Sequence, residues 1–357
     1  QVAPEEIRAL SGVRVVLGTK ERAHIVAYVE EALKEGAGLI EQVTDVMQAR
    51  SFEDIPMTSI PHRTRAFLKI EDGCQNFCSF CIIPYARGPV KSRQLSAVQR
   101  EIERFVAAGF PEGVLTGIHL GAYGIDLPTR PTLADACRTA LSLPELRRLR
   151  LGSLESVELS ADLLSLMRTE PRFAAHLHLP LQAGSDAVLR AMNRHYDTAA
   201  FAHLLSEGRS AVPGVAISTD IIVGFPGETE EQFDEGLRFV RAMEFSRLHV
   251  FPYSPRKGTP AAARTDQVPG ALRRERVARM QALAGALSEQ FHHASLGRVA
   301  PVLFEREAGG VFDGLTDTYI RVYTDAPVSR GEMVPMHLMR LYRDGVWGEP
   351  HSTIKNP

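Results

Sequence analysis

The chain has 357 residues, of which 44% are hydrophobic and 24% are charged, and its formal net charge is −2 at pH 7. This composition is typical of a globular protein with two or three domains, and it excludes a strongly basic chain that would attract nucleic acid through its overall charge. The apolar runs are short and interrupted by charges, so the sequence predicts neither a membrane span nor a secretory signal.

The first residues predict the end of a small α/β domain. A proline followed by two acidic residues near the start is typical of the first turn of a helix, residues 13–17 predict a strand, and residues 22–35 predict a helix. We interpret residues 1–50 as the remnant of an α/β amino-terminal domain whose earlier part is absent. Residues 51–63 lack periodicity and contain two prolines, so we interpret them as a linker.

Residues 64–294 predict six strands that are each followed by a helix. Such alternation indicates a parallel sheet, and right-handed crossovers curl that sheet towards a partial (βα)6 barrel. The predicted strands are 66–70, 113–117, 149–153, 176–181, 216–223 and 247–253. The predicted helices are 97–108, 133–141, 161–168, 186–192, 198–212 and 229–243.

The last part of the chain changes its periodicity. A long helix is predicted at 271–294, and residues 295–357 then alternate in the manner of short strands. These strands are predicted at 299–305, 315–323 and 333–341. They indicate a small antiparallel β-barrel, and barrels of this size commonly use a strand face and loops to bind oligonucleotides.

Three cysteines in one short segment give the clearest chemical signal. Cys74, Cys78 and Cys81 follow a three-then-two spacing, and the only other cysteine, Cys137, has no motif around it. Iron–sulfur clusters are usually closed by four thiolates, so three would leave one iron open to a reacting ligand. The alternative is a zinc site, but the next histidine, His119, lies in a different predicted element. Cluster thiols need a reducing compartment, so we expect a cytoplasmic protein.

Polar and basic residues gather at the carboxyl ends of the predicted strands, where open α/β folds bind their ligands. Two histidines alternate on one strand, His176 and His178, and we expect them to form part of a hydrogen-bonded barrel wall. Five cations follow the cysteine segment or the last strand and are candidates for RNA binding: Arg87, Lys91, Arg93, Arg256 and Lys257. A ring of them would suit a phosphate backbone, and a solvated surface is the equal alternative.

The cysteine spacing, with an aromatic residue just before the third cysteine, resembles that of the radical S-adenosylmethionine (SAM) superfamily. The resemblance implies a 4Fe–4S cluster on Cys74, Cys78 and Cys81 whose open iron binds SAM. It further implies that SAM is contacted from the strand ends. The candidate cofactor-binding residues are Thr116, Gly117, Ser153, Glu155 and Gln182. Glu155 has a structural alternative, because it could cap the helix that begins near Ser160.

Longer motifs resemble those of the methylthiotransferase family within that superfamily. They are Cys74-Gln-Asn-Phe-Cys-Ser-Phe-Cys-Ile-Ile-Pro-Tyr-Ala-Arg-Gly88, Lys91-Ser-Arg93, Leu115-Thr-Gly-Ile-His-Leu-Gly-Ala-Tyr-Gly124, His178-Leu-Pro-Leu-Gln182, Thr219-Asp-Ile-Ile-Val-Gly-Phe-Pro-Gly-Glu228 and Phe251-Pro-Tyr-Ser-Pro-Arg-Lys-Gly-Thr-Pro260. The terminal barrel resembles the TRAM domain of that family. Two of the motifs are most similar to the bacterial MtaB branch, which converts N6-threonylcarbamoyladenosine beside the tRNA anticodon into its 2-methylthio derivative.

This resemblance implies a transferase that works on the anticodon stem-loop of tRNA. It implies a flavodoxin or ferredoxin as electron donor, and we expect a monomer. Family members hold a second, sulfur-handling cluster with three amino-terminal cysteines, whereas this sequence has no cysteine before Cys74. We therefore expect the chain as given to keep SAM cleavage and to lose methylthiolation, with a second cluster in a full-length protein.

Two other functions stay open on the sequence. A methylthiotransferase that acts on a ribosomal protein aspartate would share every motif of the core. A non-catalytic iron–sulfur or RNA-binding module would bind without turning over SAM, but it has no use for an open iron. An ordinary SAM methyltransferase is disfavoured because it needs no cluster.

Overall fold

The computed structural model describes residues 1–55, 63–155 and 159–351. Residues 56–62 of the predicted linker and residues 352–357 of the predicted terminal barrel lie outside this range. The amino-terminal elements are α1 (Pro4–Arg8), β1 (Val15–Leu17), α2 (Ile25–Ala32) and β2 (Ile40–Gln42). Strands β1 and β2 pair in parallel, so this region is a βαβ unit. The sequence had not indicated β2, because two of its three residues are polar.

The central part of the chain alternates strands and helices, as predicted. Its strands are β3 (Arg65–Lys69), β4 (Glu71–Asp72), β5 (Lys91–Ser92), β6 (Glu112–Thr116), β7 (Arg148–Leu151), β8 (His176–His178), β9 (Ala216–Val223) and β10 (Arg247–Pro252). Its helices are α3 (Ile83–Arg87), α4 (Leu95–Ala107), α5 (Leu133–Leu141), α6 (Ala161–Thr169), α7 (Asp186–Ala191), α8 (Thr198–Ala211), α9 (Glu230–Ala242) and α10 (Gly270–Ala294).

Six of these strands form one open, parallel sheet. β3, β6 and β7 pair in one group and β8, β9 and β10 in another. Parallel bridges from Leu149 to Phe173 and from Ser153 to His178 join the two groups across β7 and β8. The strand order is therefore β3-β6-β7-β8-β9-β10, which confirms the partial (βα)6 barrel. Its edge strands are β3 and β10, and the gap between them is the side opening of the barrel.

The terminal strands form a closed five-stranded barrel. They are β11 (Val299–Ala308), β12 (Val311–Leu315), β13 (Arg321–Thr324), β14 (Met333–Tyr342) and β15 (Gly345–Pro350), in the order β11-β12-β13-β15-β14. β13 and β15 pair in parallel and the other neighbours are antiparallel, so the predicted small antiparallel barrel is confirmed with one parallel pairing in it. The strand predicted at 315–323 contains only the last residue of β12, a turn at 316–320 and the first three residues of β13, and a hydrogen bond from Ile320 N to Thr316 Oγ1 closes that turn.

A buried ion triad joins the terminal barrel to the central sheet. Glu112 accepts hydrogen bonds from Arg148 Nε at 2.6 Å and from Arg150 Nε at 2.9 Å, and all three side chains are buried. The remaining N–H groups of Arg148 donate to the carbonyls of Pro301 and Leu315. Those of Arg150 donate to two further carbonyls in the turn between β12 and β13. The triad therefore fixes the terminal barrel against the amino ends of β6 and β7.

No helix in the described parts of the chain is long and apolar enough to cross a membrane.

Candidate active site

The three cysteines lie on the loop between β4 and α3, close to the carboxyl end of β3. Cys78 is buried, Cys74 and Cys81 are half-buried, and all three thiols are free. The loop is closed by a hydrogen bond from Cys81 N to Cys78 O at 2.9 Å. Gly73 has a φ of +104°, and a Cβ there would lie 2.1 Å from the carbonyl oxygen of Pro89. Only glycine therefore lets the loop pack this closely against the segment after α3.

Arg194 connects the cysteine loop to the end of β7. Its guanidinium donates a hydrogen bond to Cys78 Sγ at 3.2 Å and also forms an ion pair with Glu155. Burial raises the pKa of the Cys78 thiol, and the positive charge of Arg194 acts against that increase. Burial also raises the pKa of Cys81. A metal ion that binds these thiols would therefore have to displace their protons, so its binding would release protons.

A buried glutamate on the opposite side of the loop was not found from the sequence. Glu71 is fully buried on β4 and its carboxylate accepts a hydrogen bond from His119 N at 2.7 Å. Burial raises the pKa of Glu71 to about 7, although the hydrogen bond from His119 N acts in the other direction. The Nδ1 atom of His119 lies 4.0 Å from Cys74 Sγ. The only sequence signal for Glu71 was its position three residues before the first cysteine.

The predicted cofactor-binding residues all lie at carboxyl ends of strands, but they form two groups. Thr116 ends β6, and Gly117 follows it beside Glu71, whose Oε2 would lie 2.6 Å from a Cβ at position 117. Glu71 connects these two residues to the cysteine loop, and Arg194 connects Glu155 to it. Ser153 bridges to β8, and Gln182 bridges to β9 with a φ of +69°. The contacts of these last two are with the barrel wall.

Two of the five candidate RNA-binding cations are not on the surface, which corrects that prediction. Lys91 is buried and its ammonium group donates to the carbonyls of Arg87 and Pro89 at 2.6 and 3.0 Å. Arg93 is also buried, forms an ion pair with Asp54, and lies over the ring of Phe52. Both side chains are therefore occupied in holding the cysteine loop to neighbouring backbone and to the linker.

The other three candidate cations retain access to solvent. Arg87 is half-buried and lies 3.7 Å from Asp72. Arg256 is exposed, and Lys257 is exposed while it pairs with Glu6 of α1. The predicted ring of five is therefore reduced to three positions.

A cavity of about 640 Å³ occupies the side opening of the barrel. One edge is lined by Arg65 and Phe67 from β3, and the other by Arg247 and His249 from β10. The turn between β12 and β13 forms part of the wall, together with the end of α10. The cavity therefore leads from the surface beside the terminal barrel into the barrel interior.

A hydrogen-bonded chain of side chains lies at the inner end of this cavity. His176 Nε2 and His178 Nδ1 lie 2.9 and 2.8 Å from the hydroxyl oxygen of Ser218, which confirms that both histidines belong to a hydrogen-bonded wall. His178 Nε2 and His249 Nδ1 lie 3.2 and 3.0 Å from Asp220 Oδ1. The sequence analysis missed Asp220 and His249, although they occupy paired positions on β9 and β10.

Charge is distributed unequally along this chain of side chains. Burial alone would raise the pKa of Asp220, but the hydrogen bonds from His178 and His249 hold it well below its ordinary value. Burial lowers the pKa of His176 well below its ordinary value. At neutral pH the chain therefore has an ionised carboxylate at Asp220 and a neutral imidazole at His176, which are separated by Ser218 and His178.

Comparisons with known proteins were made on sequence and on structure. Residues 68–240 match the model of the Radical SAM superfamily. The threonylcarbamoyladenosine tRNA methylthiotransferase MtaB of Bacillus subtilis is 39% identical over 327 residues, which are 90% of this chain and 72% of that protein. The tRNA-2-methylthio-N(6)-dimethylallyladenosine synthase of Rickettsia rickettsii is 33% identical over 345 residues, which are 94% of this chain and 77% of that protein.

Among solved structures, the coproporphyrinogen III oxidase HemN of Escherichia coli, described as a radical SAM enzyme, has a TM-score of 0.47 and 21% identity. The match covers 66% of this chain and 54% of that one.

Proposed function

Because this chain belongs to the methylthiotransferase family of radical SAM enzymes, we propose that it serves the addition of a methylthio group to C2 of N6-threonylcarbamoyladenosine in tRNA, and that the three cysteines present supply the SAM-cleaving step of that reaction. The family makes it a transferase with a 4Fe–4S cluster and SAM as cofactors. The observation that carries the proposal is that one barrel has three free cysteines at its mouth and a cavity lined by several arginines at its side. The relative that acts on threonylcarbamoyladenosine, at 39% identity, supports the choice of nucleoside.

The cysteine loop fits a cluster. Cys74, Cys78 and Cys81 would bind three irons, and Arg194 would donate its hydrogen bond to a cluster-bound sulfur. Cys137 is fully buried in α5, and burial raises the pKa of its thiol strongly, so it acts as a small core residue. When bound, the cluster supplies the electron that cleaves SAM into methionine and a 5′-deoxyadenosyl radical.

The surrounding residues would position the cluster and SAM and exclude water from them. Arg194 holds the Cys78 side of the loop to Glu155, while Glu71 fixes the backbone of His119 after β6. We retain Thr116, Gly117, Ser153, Glu155 and Gln182 as the proposed SAM contacts, since each lies at a strand end. The barrel wall would confine a radical that must react only with its substrate.

The side cavity supports a substrate with a polar N6 group. A threonylcarbamoyl group carries a carboxylate and a hydroxyl, whereas a dimethylallyl group is apolar. In the described part of the chain Arg65 pairs with Glu305, while Arg247 at the opposite edge is exposed and has no ion pair. We therefore propose that Arg247 binds the threonyl carboxylate of the substrate.

Further contacts follow from the same proposal. We propose that Arg87, Arg256 and Lys257 contact phosphates of the anticodon stem-loop, that a flavodoxin or ferredoxin supplies the electron, and that a monomer acts in the cytoplasm. The buried Lys91 and Arg93 are not included.

The test uses 5′-deoxyadenosine as its readout, because SAM cleavage needs only the cluster on Cys74, Cys78 and Cys81. The anaerobically reconstituted chain is given SAM, a strong reductant and anticodon stem-loop RNAs that carry threonylcarbamoyladenosine, dimethylallyladenosine or adenosine. We expect the first RNA to increase deoxyadenosine formation most. Arg247→Gln should raise the KM for that RNA about 10- to 100-fold with little change in kcat, because one charged hydrogen bond is lost. Arg241→Gln, an exposed position on α9, is the matched control.

Each competing function predicts a different result. Equal or greater stimulation by the dimethylallyl RNA would contradict the proposed nucleoside, and no stimulation by any RNA would favour a protein substrate. No deoxyadenosine from a chain with full iron would favour a non-catalytic module. Cys78→Ala should lose the iron–sulfur absorbance that Cys137→Ala keeps, and full iron in Cys78→Ala would refute the ligand assignment.

A further inference from the structure

We propose that His178, Asp220 and His249 form a second metal site, which binds one divalent first-row ion inside the partial barrel. The site is separate from the cysteine loop, since its residues come from β8, β9 and β10. Two histidines and one carboxylate are a ligand set that zinc and iron(II) both accept. The proposal goes beyond methylthio transfer and does not depend on it.

The positions of the donor atoms fit a metal ion. His178 Nε2 and His249 Nδ1 lie 3.2 and 3.0 Å from Asp220 Oδ1. The three residues each offer one donor atom that lies within 4.8 Å of the donor atoms of the other two. In a tetrahedral zinc site, bonds of about 2.0–2.2 Å place neighbouring ligand atoms about 3.3–3.6 Å apart. The two separations from Asp220 Oδ1 therefore need to widen by only a few tenths of an ångström, about the size of a side-chain adjustment.

Sheet register explains why these three side chains meet. His249 pairs with Asp220 across β10 and β9, and His178 pairs with Ser218 across β8 and β9. Parallel neighbouring strands lie about 4.8 Å apart, and alternate side chains point to the same face. The backbone therefore sets the spacing of the ligands before any ion arrives.

A second layer of contacts holds one ligand in a metal-binding orientation. His178 Nδ1 lies 2.8 Å from Ser218 Oγ, which in turn lies 2.9 Å from His176 Nε2. Metal-binding histidines usually engage their other ring nitrogen in this way.

The site has an open side. His178 and His249 both line the side cavity, so an ion on these ligands would face a space of about 640 Å³. Three protein ligands with an open position are typical of metal sites that bind a further small ligand or water, whereas structural sites are closed by four. We therefore expect an exchangeable ligand on the cavity side of the ion.

The test measures metal binding to the cluster-loaded chain with zinc alone as the probe. The reconstituted protein is dialysed anaerobically against zinc, and zinc and iron are counted by mass spectrometry. We expect one zinc per chain with no loss of iron, at least tenfold weaker binding in His249→Ala and in Asp220→Asn, and weaker binding in Ser218→Ala with all three ligands present. His203→Ala, on the exposed face of α8, should bind like the wild type.

Three results would overturn the proposal. One is a wild-type chain that binds no zinc above the buffer blank. Another is unchanged zinc in both His249→Ala and Asp220→Asn when their iron content and circular dichroism match the wild type. The third is zinc that rises only as iron falls, because the metal would then occupy the cysteine loop. None of these results bears on SAM cleavage, so the two proposals fail separately.

Discussion

The substitution Glu112→Gln tests whether the buried ion triad holds the terminal barrel to the central sheet. Glu112 and Arg150 are 0% exposed and Arg148 is 3% exposed. Burial alone would raise the pKa of Glu112, but the two arginines outweigh it and lower the pKa below its ordinary value. Gln at this position would keep the shape and remove the charge, which leaves two buried guanidinium groups uncompensated. Breaking a buried pair in this way costs about 3–5 kcal/mol.

The terminal barrel carries a convenient probe, because Trp347 on β15 is the single tryptophan of the chain. In urea unfolding, Trp347 fluorescence should report a midpoint that Glu112→Gln lowers by about 1–2.5 M, if a slope of about 2–3 kcal/mol/M applies. Glu207→Gln is the matched control. Its pair with His203 is 3.5 Å long between largely exposed side chains, so the change should be under about 1 kcal/mol.

The same triad predicts a dependence on pH. A carboxyl whose pKa is lowered by folding contributes stability above its ordinary pKa, and that contribution is lost as the pH falls through the folded value. The difference between the wild type and Glu112→Gln should therefore shrink in acid. If Glu112→Gln unfolds with the same midpoint as Glu207→Gln at neutral pH, the triad does not stabilise the interface and the reasoning is wrong.

Three further predictions concern the surroundings of the cysteine loop. Burial raises the pKa of Glu71 to about 7, so stability present below the ordinary value of 4.5 should be lost as the pH rises through 7, by about 3 kcal/mol at most. Melting temperatures should show this loss in the wild type and not in Glu71→Gln; a flat wild-type curve would contradict it. Gly117→Ala places a Cβ 2.6 Å from Glu71 Oε2 and should destabilise the protein by about 1–3 kcal/mol in the same melts. The control is Gly285→Ala in α10, where an added Cβ meets no atom within 4 Å, and it should stabilise the protein slightly. The reverse order would refute the packing argument. Arg194→Lys weakens the N–H···S hydrogen bond to Cys78 and should lower the reduction potential of the bound cluster in spectroelectrochemistry, and an unchanged potential would show that the bond has no influence.

Local sequence patterns were enough to predict most strands and helices of the central domain and the position of the cysteine loop. The alternation of strands and helices indicated the partial barrel, and the spacing of Cys74, Cys78 and Cys81 indicated a single loop with three thiols. β15 was missed because Gly345, Gly348 and Pro350 weaken a strand signal. Its parallel pairing with β13 also joins segments that no local pattern relates.

Features that depend on tertiary contacts were not accessible from the sequence. Lys91 and Arg93 are charged, so composition favoured a surface position, yet backbone carbonyls and Asp54 compensate their burial. Similarly, Asp220 gave no signal of its own. It becomes informative only when β8, β9 and β10 bring His178 and His249 to the same carboxylate.

The ion triad and the side cavity are two parts of one arrangement. Arg150 lies 3.7 Å from the ring centroid of Tyr319, and Tyr319 lines the cavity together with Arg65 and Arg321. The triad therefore positions Tyr319 in the wall of the cavity by which a substrate would enter. The triad lies at the amino ends of the strands, whereas the cysteines lie at the carboxyl ends. A change at the triad should consequently affect substrate binding and leave the cluster loop intact.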